Sequence, residues 1–376
     1  MESTSVVLVS TGLCVPSHAV SNEKLVESFN QYVKNFNQTH STQIELGEVA
    51  ALKESSSEFI VKASGIENRY FFSAEGILDP QRMTPYIPER PNEQLSFQAE
   101  KGVEAAKQAL ERAGLRADDV DLVILACSNM QRPYPAVAIE IQDALNIKGF
   151  AYDMNVACSS ATFGLYNACA AIQSGKVRAA LVVNVEICSG HLNFRDRDSH
   201  FIFGDVATAF ILQREDLVNS ACQGFRVIDS SLRTIFSSAI RNNFGFLNRA
   251  DAEKRDTADK LFIQKGRKVF KEVCPEVASH ISAQLATLGI KPQQIKRFWL
   301  HQANLSMNQL ITKKILGRPA LEAEAPNILK EFANTSSAGC IIALHRYSDG
   351  LESGDLGVLS SFGAGYSIGS VVLEKR

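Results

Sequence analysis

The sequence carries eight cysteines, Cys14 through Cys340, yet no two of them are spaced as C-x-x-C. That absence excludes a zinc ribbon and a thioredoxin-like redox motif, and the irregular spacing argues against a disulfide framework. Several of these thiols lie in apolar runs, where free cysteine packs as a small hydrophobe, which fits a reducing, cytoplasmic setting. No stretch approaches the ~20 apolar residues that span a bilayer. The opening segment MESTSVVLVSTGLCVPSHAV lacks a basic flank, and Ser and Gly break its apolar run. It reads as a buried first strand, not as a signal peptide. An excess of either charge is missing too: 39 Lys and Arg against 41 Asp and Glu leave a formal net charge of −2. Nothing in that balance points to a nucleic acid or a membrane surface as partner.

What the chain does have is core material. Its 376 residues are 45% hydrophobic and 21% charged, enough for two or three domains or one double domain. Short apolar runs at 6–9, 120–127, 151–156, 179–185, 207–212, 297–301, 357–361 and 367–373 predict strands. Helical patterns lie among them at 95–114, 159–174 and 336–349, the last two rich in small residues and apolar on most faces. Strands alternating with helices predict an α/β architecture.

An internal repeat refines this. The segment from Ala106, AKQALERAGLRADDVDLVILAC, matches ISAQLATLGIKPQQIKRFWLHQ from Ile281: Leu110 falls on Leu285, Gly114 on Gly289 and Val120 on Ile295. Further on, SSATFG after Cys158 echoes TSSAGC after Asn334. A duplicated half places Cys158 and Asn334 at equivalent positions about a pseudo-twofold axis. Two polar stretches near 30–57 and 73–92 interrupt the plan and read as surface insertions.

Four features carry chemistry. Cys158 ends an apolar strand where a helix begins at Ser159, so the helix dipole favours its thiolate; the alternative is a small buried cysteine. His301, in FWLHQANLSMNQL, also ends a strand before a helix; the alternative is a structural imidazole. Asn334, in EFANTSSAGC, is either an N-cap or a carboxamide offered to a ligand, and the two are compatible. The run SSFGAGYSIGS lacks the Lys-Ser/Thr of a phosphate loop, but such a turn lets a backbone N–H approach an oxyanion.

With these pieces in this order, the chain resembles the β-ketoacyl-acyl-carrier-protein synthase III family of the thiolase superfamily. ACSSATFG, FGD at 203–205, HQAN at 301–304, NTSSA and FGAGYSIG carry the resemblance over nearly the whole chain. It implies a thiolase-like duplicated αβαβα fold with pseudo-twofold halves, 1–220 bearing the cysteine and 221–376 bearing His and Asn. Asn at the third position, and no second catalytic cysteine in the Gly-rich turn, separate it from elongating synthases and true thiolases. The resemblance implies the catalytic set Cys158, His301 and Asn334, with an oxyanion hole from the N–H groups of Cys158 and Ala364. Cys158 takes an acyl group from acyl-CoA. Malonyl-acyl carrier protein then loses CO₂ and its enolate attacks the acyl-enzyme, with no metal or redox cofactor.

The resemblance also implies an acyl pocket at Tyr134, Cys188, Phe203 and Phe362, with Tyr134 contributed across a homodimer interface. The family's Trp and one Arg of the CoA adenine clamp fall on Phe59 and Ala63, and its second Arg on Arg197. Half of the clamp is altered, and CSGHLNFRDRDSHFIFGD with the N-terminal insertion is closer to the branch that makes β-ketodecanoyl-carrier protein from an octanoyl-type CoA. Lys271, Lys313 and Lys314 match basic carrier-docking positions, near Lys265, Arg267 and Lys268, while Ser306 stands where a docking Arg is usual. Two other readings share the triad: a type III polyketide synthase and a head-to-head acyl-CoA condensing enzyme. A third reading is a catalytically silent acyl-binding paralogue.

Overall fold

The computed structural model describes residues 4–243 and 245–376. Its strands are β1 (Val6–Cys14), β2 (His18–Ser21), β3 (Asn68–Phe71), β4 (Leu122–Ala126), β5 (Phe150–Met154), β6 (Ala179–Glu186), β7 (Val206–Arg214), β8 (Phe225–Ser237), β9 (Ile240–Arg241), β10 (Ile263–Gln264), β11 (Ile295–Leu300), β12 (Leu356–Gly363) and β13 (Gly365–Lys375). Its helices are α1 (Asn22–Thr39), α2 (Ser41–Glu45), α3 (Ser57–Ser64), α4 (Glu75–Leu78), α5 (Phe97–Ala113), α6 (Val137–Ala144), α7 (Ser160–Gln173), α8 (Gly266–Thr287), α9 (Leu305–Leu316), α10 (Leu329–Phe332) and α11 (Ala338–Arg346). Among the described residues no helix is long and apolar enough to cross a membrane.

Nine strands form one sheet in the order β11-β12-β13-β8-β1-β7-β6-β4-β5. Read outward from the centre, β8-β13-β12-β11 repeats β1-β7-β6-β4. The two sets join where β1 pairs with β8, through Val7 with Arg226 and Leu8 with Phe225. The repeat read from the sequence is visible atom by atom. Leu115 N–H donates to the Leu110 carbonyl at 3.1 Å, and Ile290 N–H to the Leu285 carbonyl at 2.9 Å. Each closes a helix over a left-handed glycine, Gly114 at φ 65° and Gly289 at φ 69°.

Three buried clusters define five layers. α5 and α6 cover one face of the first half-sheet, and α8 and α9 cover the corresponding face of the second. α7 and α11 lie between the halves, packing Leu165 and Ile341 against β4, β7, β12 and β13. α11 is buried all round from Ala338 to Leu344, which is why that stretch shows no polar face, whereas α7 leaves Tyr166, Ala170 and Gln173 exposed along one stripe. The strands between them, such as LVILA of β4, are buried on both faces and therefore read as continuous apolar runs.

Two features depart from the sequence reading. β8 is absent from the apolar runs because FRVIDSSLRTIFS mixes polar and apolar residues and is largely half-exposed. Its pairing with β13, from Gly365 to Lys375, holds it in place. The stretches near 30–57 and 73–92 are not simply solvated. Val33 from the first, and Ile77 and Met83 from the second, are buried in a fourth cluster with Phe29, Phe194 and Phe203.

Candidate active site

The chain reaches Cys158 by leaving β5 through a tight turn. Asn155 Oδ1 accepts the Ala157 N–H at 2.8 Å, and Ser160 Oγ accepts the Val156 N–H at 2.9 Å. Ala157 is forced to φ 48°, a region that costs a residue with a Cβ free energy and that clusters at working sites. Cys158 then sits in the single 3₁₀ turn before α7. Its sulfur is met by the Ser336 hydroxyl at 3.4 Å, which together with the backbone of Ala364 and of Cys158 itself favours the thiolate. Burial nevertheless dominates and pushes the thiol up to about 11, with the carboxylate of Glu186 adding to the rise. At neutral pH the resting residue is a thiol, contrary to the thiolate that the helix start alone suggests.

His301 follows β11 directly, and its N–H donates to the Ser360 carbonyl at 2.7 Å. The ring is 2% exposed and stands edge-on to Phe362 with centroids 5.2 Å apart. Burial lowers its pKa to about 4, opposed in part by the nearby Ser336 backbone, so the imidazole is neutral. Its Nδ1 has no hydrogen-bond partner among the described residues. Asn334 is held by its backbone, with its N–H on the Ile202 carbonyl and its carbonyl accepting from Gly204, both at 3.0 Å. Its Oδ1 accepts the Ser336 N–H at 2.8 Å. It therefore caps the turn before α11, whose own N-cap is Ser337. Among the described residues the Asn334 Nδ2 makes no hydrogen bond.

Cys158, His301 and Asn334 line one cavity of about 450 Å³, with Phe203 and Phe362 among its walls. That is within the range of small-molecule sites. The remaining expected residues divide. Cys188 is fully buried in the aromatic cluster with Phe203, behind the residues that line the cavity. Tyr134 is 81% exposed and lies outside this chain's cavity. Phe59 and Arg197 are brought together, the guanidinium 4.1 Å above the ring centroid. Arg197 Nε also donates to the Glu54 carbonyl at 2.7 Å, inside the first expected insertion. Lys271 stands at the cavity wall, whereas Lys313 borders a separate cavity beside α9.

Ser336 and Glu186 escape the sequence reading. The one available signal for Glu186 is a carboxylate closing the otherwise buried strand AALVVNVE. Its pKa is raised to about 7 by burial, against hydrogen bonds from Ser128 and Ser337.

Residues 152–234 match the family described as 3-oxoacyl-[acyl-carrier-protein (ACP)] synthase III, and residues 285–375 match its C-terminal part. A β-ketodecanoyl-[acyl-carrier-protein] synthase of Pseudomonas aeruginosa is 61% identical over 351 residues, covering 93% of this chain and 100% of the relative. The chain belongs to the β-ketoacyl-acyl-carrier-protein synthase III family. It is an acyltransferase of fatty acid synthesis, within the thiolase superfamily and the β-ketodecanoyl-like branch. A synthase III of Bartonella bacilliformis is 31% identical over 334 residues, 87% of this chain and 93% of that one. Among solved structures, the priming β-ketosynthase of the R1128 polyketide pathway superposes with a TM-score of 0.78 at 21% identity, covering 99% of this chain and 97% of that one. The synthase III of Pseudomonas aeruginosa gives 0.74 at 21%, with 98% of each chain covered. These two likenesses bear on the fold.

Proposed function

We propose that this chain joins an octanoyl-type primer, delivered on CoA, to malonyl-acyl carrier protein by decarboxylative condensation through acyl-Cys158. The convergence of Cys158, His301 and Asn334 on one apolar cavity carries the reading. In this reading the N–H groups of Cys158 and Ala364, which lower the thiol pKa against burial, would hold the oxygen of the tetrahedral intermediate. A neutral imidazole and the Asn334 carboxamide on the wall of the same cavity suit the stabilisation of an enolate. Loss of CO₂ supplies the carbanion, so the step calls for no metal or redox group. The relative named for a β-ketodecanoyl product supports the primer length, since a decanoyl chain less one two-carbon extension is octanoyl.

The finer assignments follow from the same reading. Phe59 and Arg197 would receive the CoA nucleotide, and Lys271, Lys313 and Lys314, all exposed, would face the acidic carrier protein. A homodimer is supported by the exposed Tyr134, Ile139 and Phe150, which lie in or near the β5 edge and its neighbour α6. In such a dimer Tyr134 would close the partner's pocket. The duplicated halves would be 1–220 and 221–376, and the enzyme would work in the cytoplasm. Mass spectrometry of Cys158 after offering acyl-CoAs of graded length tests the proposal. An octanoyl adduct in preference to acetyl is expected, and acetyl preference would overturn the primer assignment.

A further inference from the structure

Glu186 closes β6, is fully buried, and takes no direct part in the proposed condensation. Its carboxylate gathers donors from both halves of the molecule. Ser128, just after β4, donates its N–H to Oε1 at 3.1 Å and its hydroxyl to Oε2 at 2.5 Å. Ser337, just before α11, donates its N–H to Oε1 at 3.2 Å and its hydroxyl to the same oxygen. A buried carboxylate is costly unless donors meet it, and here two serines supply them.

The Ser337 end of this brace adjoins the site. Ser336 donates its hydroxyl to Cys158 Sγ, and Asn334 accepts the Ser336 N–H. Ala333 and Ser336 are both held at positive φ, 56° and 49°, so the segment they bracket does not keep its shape by local preference. One end of the segment is fixed by the bridge between Phe203 and Asn334. The other end is fixed where Glu186 grips Ser337.

We propose that Glu186 is a positioning residue for the condensation. It clamps Ser337 against the first half and thereby aims the Asn334 carboxamide and the Ser336 hydroxyl at Cys158. This rests on the Cys158–His301–Asn334 reading. A carboxylate suits the position because both of its oxygens accept, whereas glutamine would turn an NH₂ group toward serine donors.

The test compares Glu186→Gln, Ser337→Ala, their combination and Asn334→Ala in the full-length enzyme, each checked for a cooperative thermal transition. In Glu186→Gln, kcat is expected to fall ~10-fold or more with KM for the acyl donor nearly unchanged, because only the aim of the transition-state groups is disturbed. The double variant should be no worse than the weaker single variant within about two-fold, since both substitutions cut one tie. If Glu186→Gln fails to fold, Glu186→Asp, which keeps the charge but shortens the reach, is expected to show the same kcat loss. Normal kcat in a folded Glu186→Gln or Glu186→Asp, or fully multiplicative losses in the double variant, would overturn the role of Glu186. If Asn334→Ala itself keeps full activity, the triad reading falls instead.

Discussion

A Cβ placed on Gly363 would lie 2.6 Å from the Cβ and 3.0 Å from the Sγ of Cys158. The end of β12 thus runs against the nucleophile with no room for a side chain. The closeness sets the backbone of the next residue, Ala364, beside the sulfur, where it favours the thiolate. Ser367 secures the same turn, its hydroxyl lying 2.9 Å from both the Ala364 carbonyl and Ser159 Oγ.

Gly363→Ala is therefore predicted to push β12 and Cys158 apart and to carry the Ala364 N–H away from the developing oxyanion. A displacement of about 1 Å is enough to cost on the order of 100-fold in rate. Steady-state condensation with and without the substitution measures it, and a loss below about three-fold would show that the N–H is not needed there. The strain of the extra methyl should also lower stability by ~1–3 kcal/mol, read from urea midpoints.

His200 gives a pH prediction that is independent of catalysis. It is fully buried, stacked on Phe29 with ring centroids 4.4 Å apart, and its Nε2 has no partner among the described residues. Burial lowers its pKa to about 3. The unfolded chain protonates this imidazole below about pH 6.5 while the folded chain does not. Its stabilising contribution is therefore complete above 6.5 and is lost as the pH falls. The wild-type curve is a poor readout, because Glu186 and Asp205, raised to about 7 and about 6, bind protons in the folded state and oppose the loss. The variant His200→Gln isolates the imidazole. Relative to wild type it should gain ~1.4 kcal/mol for each pH unit below 6.5, or about 2 kcal/mol between pH 7 and pH 5. A pH-independent difference between the two urea midpoints would rule this out.

How much of this site can be read without coordinates depends on whether the signal is local. Cys158 and His301 each lie between a strand and the helix that follows it, a pattern contained in a dozen residues, although β5 ends at Met154 and a turn separates it from Cys158. Glu186 and Ser337 are 151 positions apart and meet only because the two halves fold against each other. Ser336 likewise reaches Cys158 across 178 positions. β8 stays hidden for a related reason: its place depends on pairing with β13, and its own residues lack a clean alternation. Cys188 was legible as a cysteine near the site, but the direction it faces is set by the aromatic cluster around it.

The assigned roles of His301 and Asn334 separate cleanly in a Cys158→Ala background, where no acyl-enzyme forms. That variant is expected to decarboxylate malonyl-carrier protein. Adding His301→Ala or Asn334→Ala removes one donor to the enolate oxygen, and each should reduce CO₂ release by ~100-fold or more. The rate is followed as CO₂ evolved or as acetyl-carrier protein formed. Undiminished decarboxylation in either variant would remove that residue from the mechanism.

The segment 46–56 is strapped to α1 by two asparagines that mimic a backbone ladder. Asn37 Nδ2 donates to the Leu52 carbonyl at 3.0 Å, and its Oδ1 accepts the Leu52 N–H at 2.9 Å. Asn30 repeats this with Ser55, at 3.1 and 2.8 Å. The strap delivers the Glu54 carbonyl to Arg197 and so keeps the guanidinium over Phe59. If that stack receives the nucleotide of the acyl donor, loosening the strap should weaken binding and spare the chemistry. Asn30→Ala with Asn37→Ala is predicted to raise KM for octanoyl-CoA by ~10-fold, the equivalent of about 1.4 kcal/mol, at unchanged kcat. Octanoyl-pantetheine, which has no nucleotide, should show no such rise. The two donors thus distinguish a strap that organises the nucleotide contact from one that only supports the fold: an equal rise in KM for both would assign it to the fold.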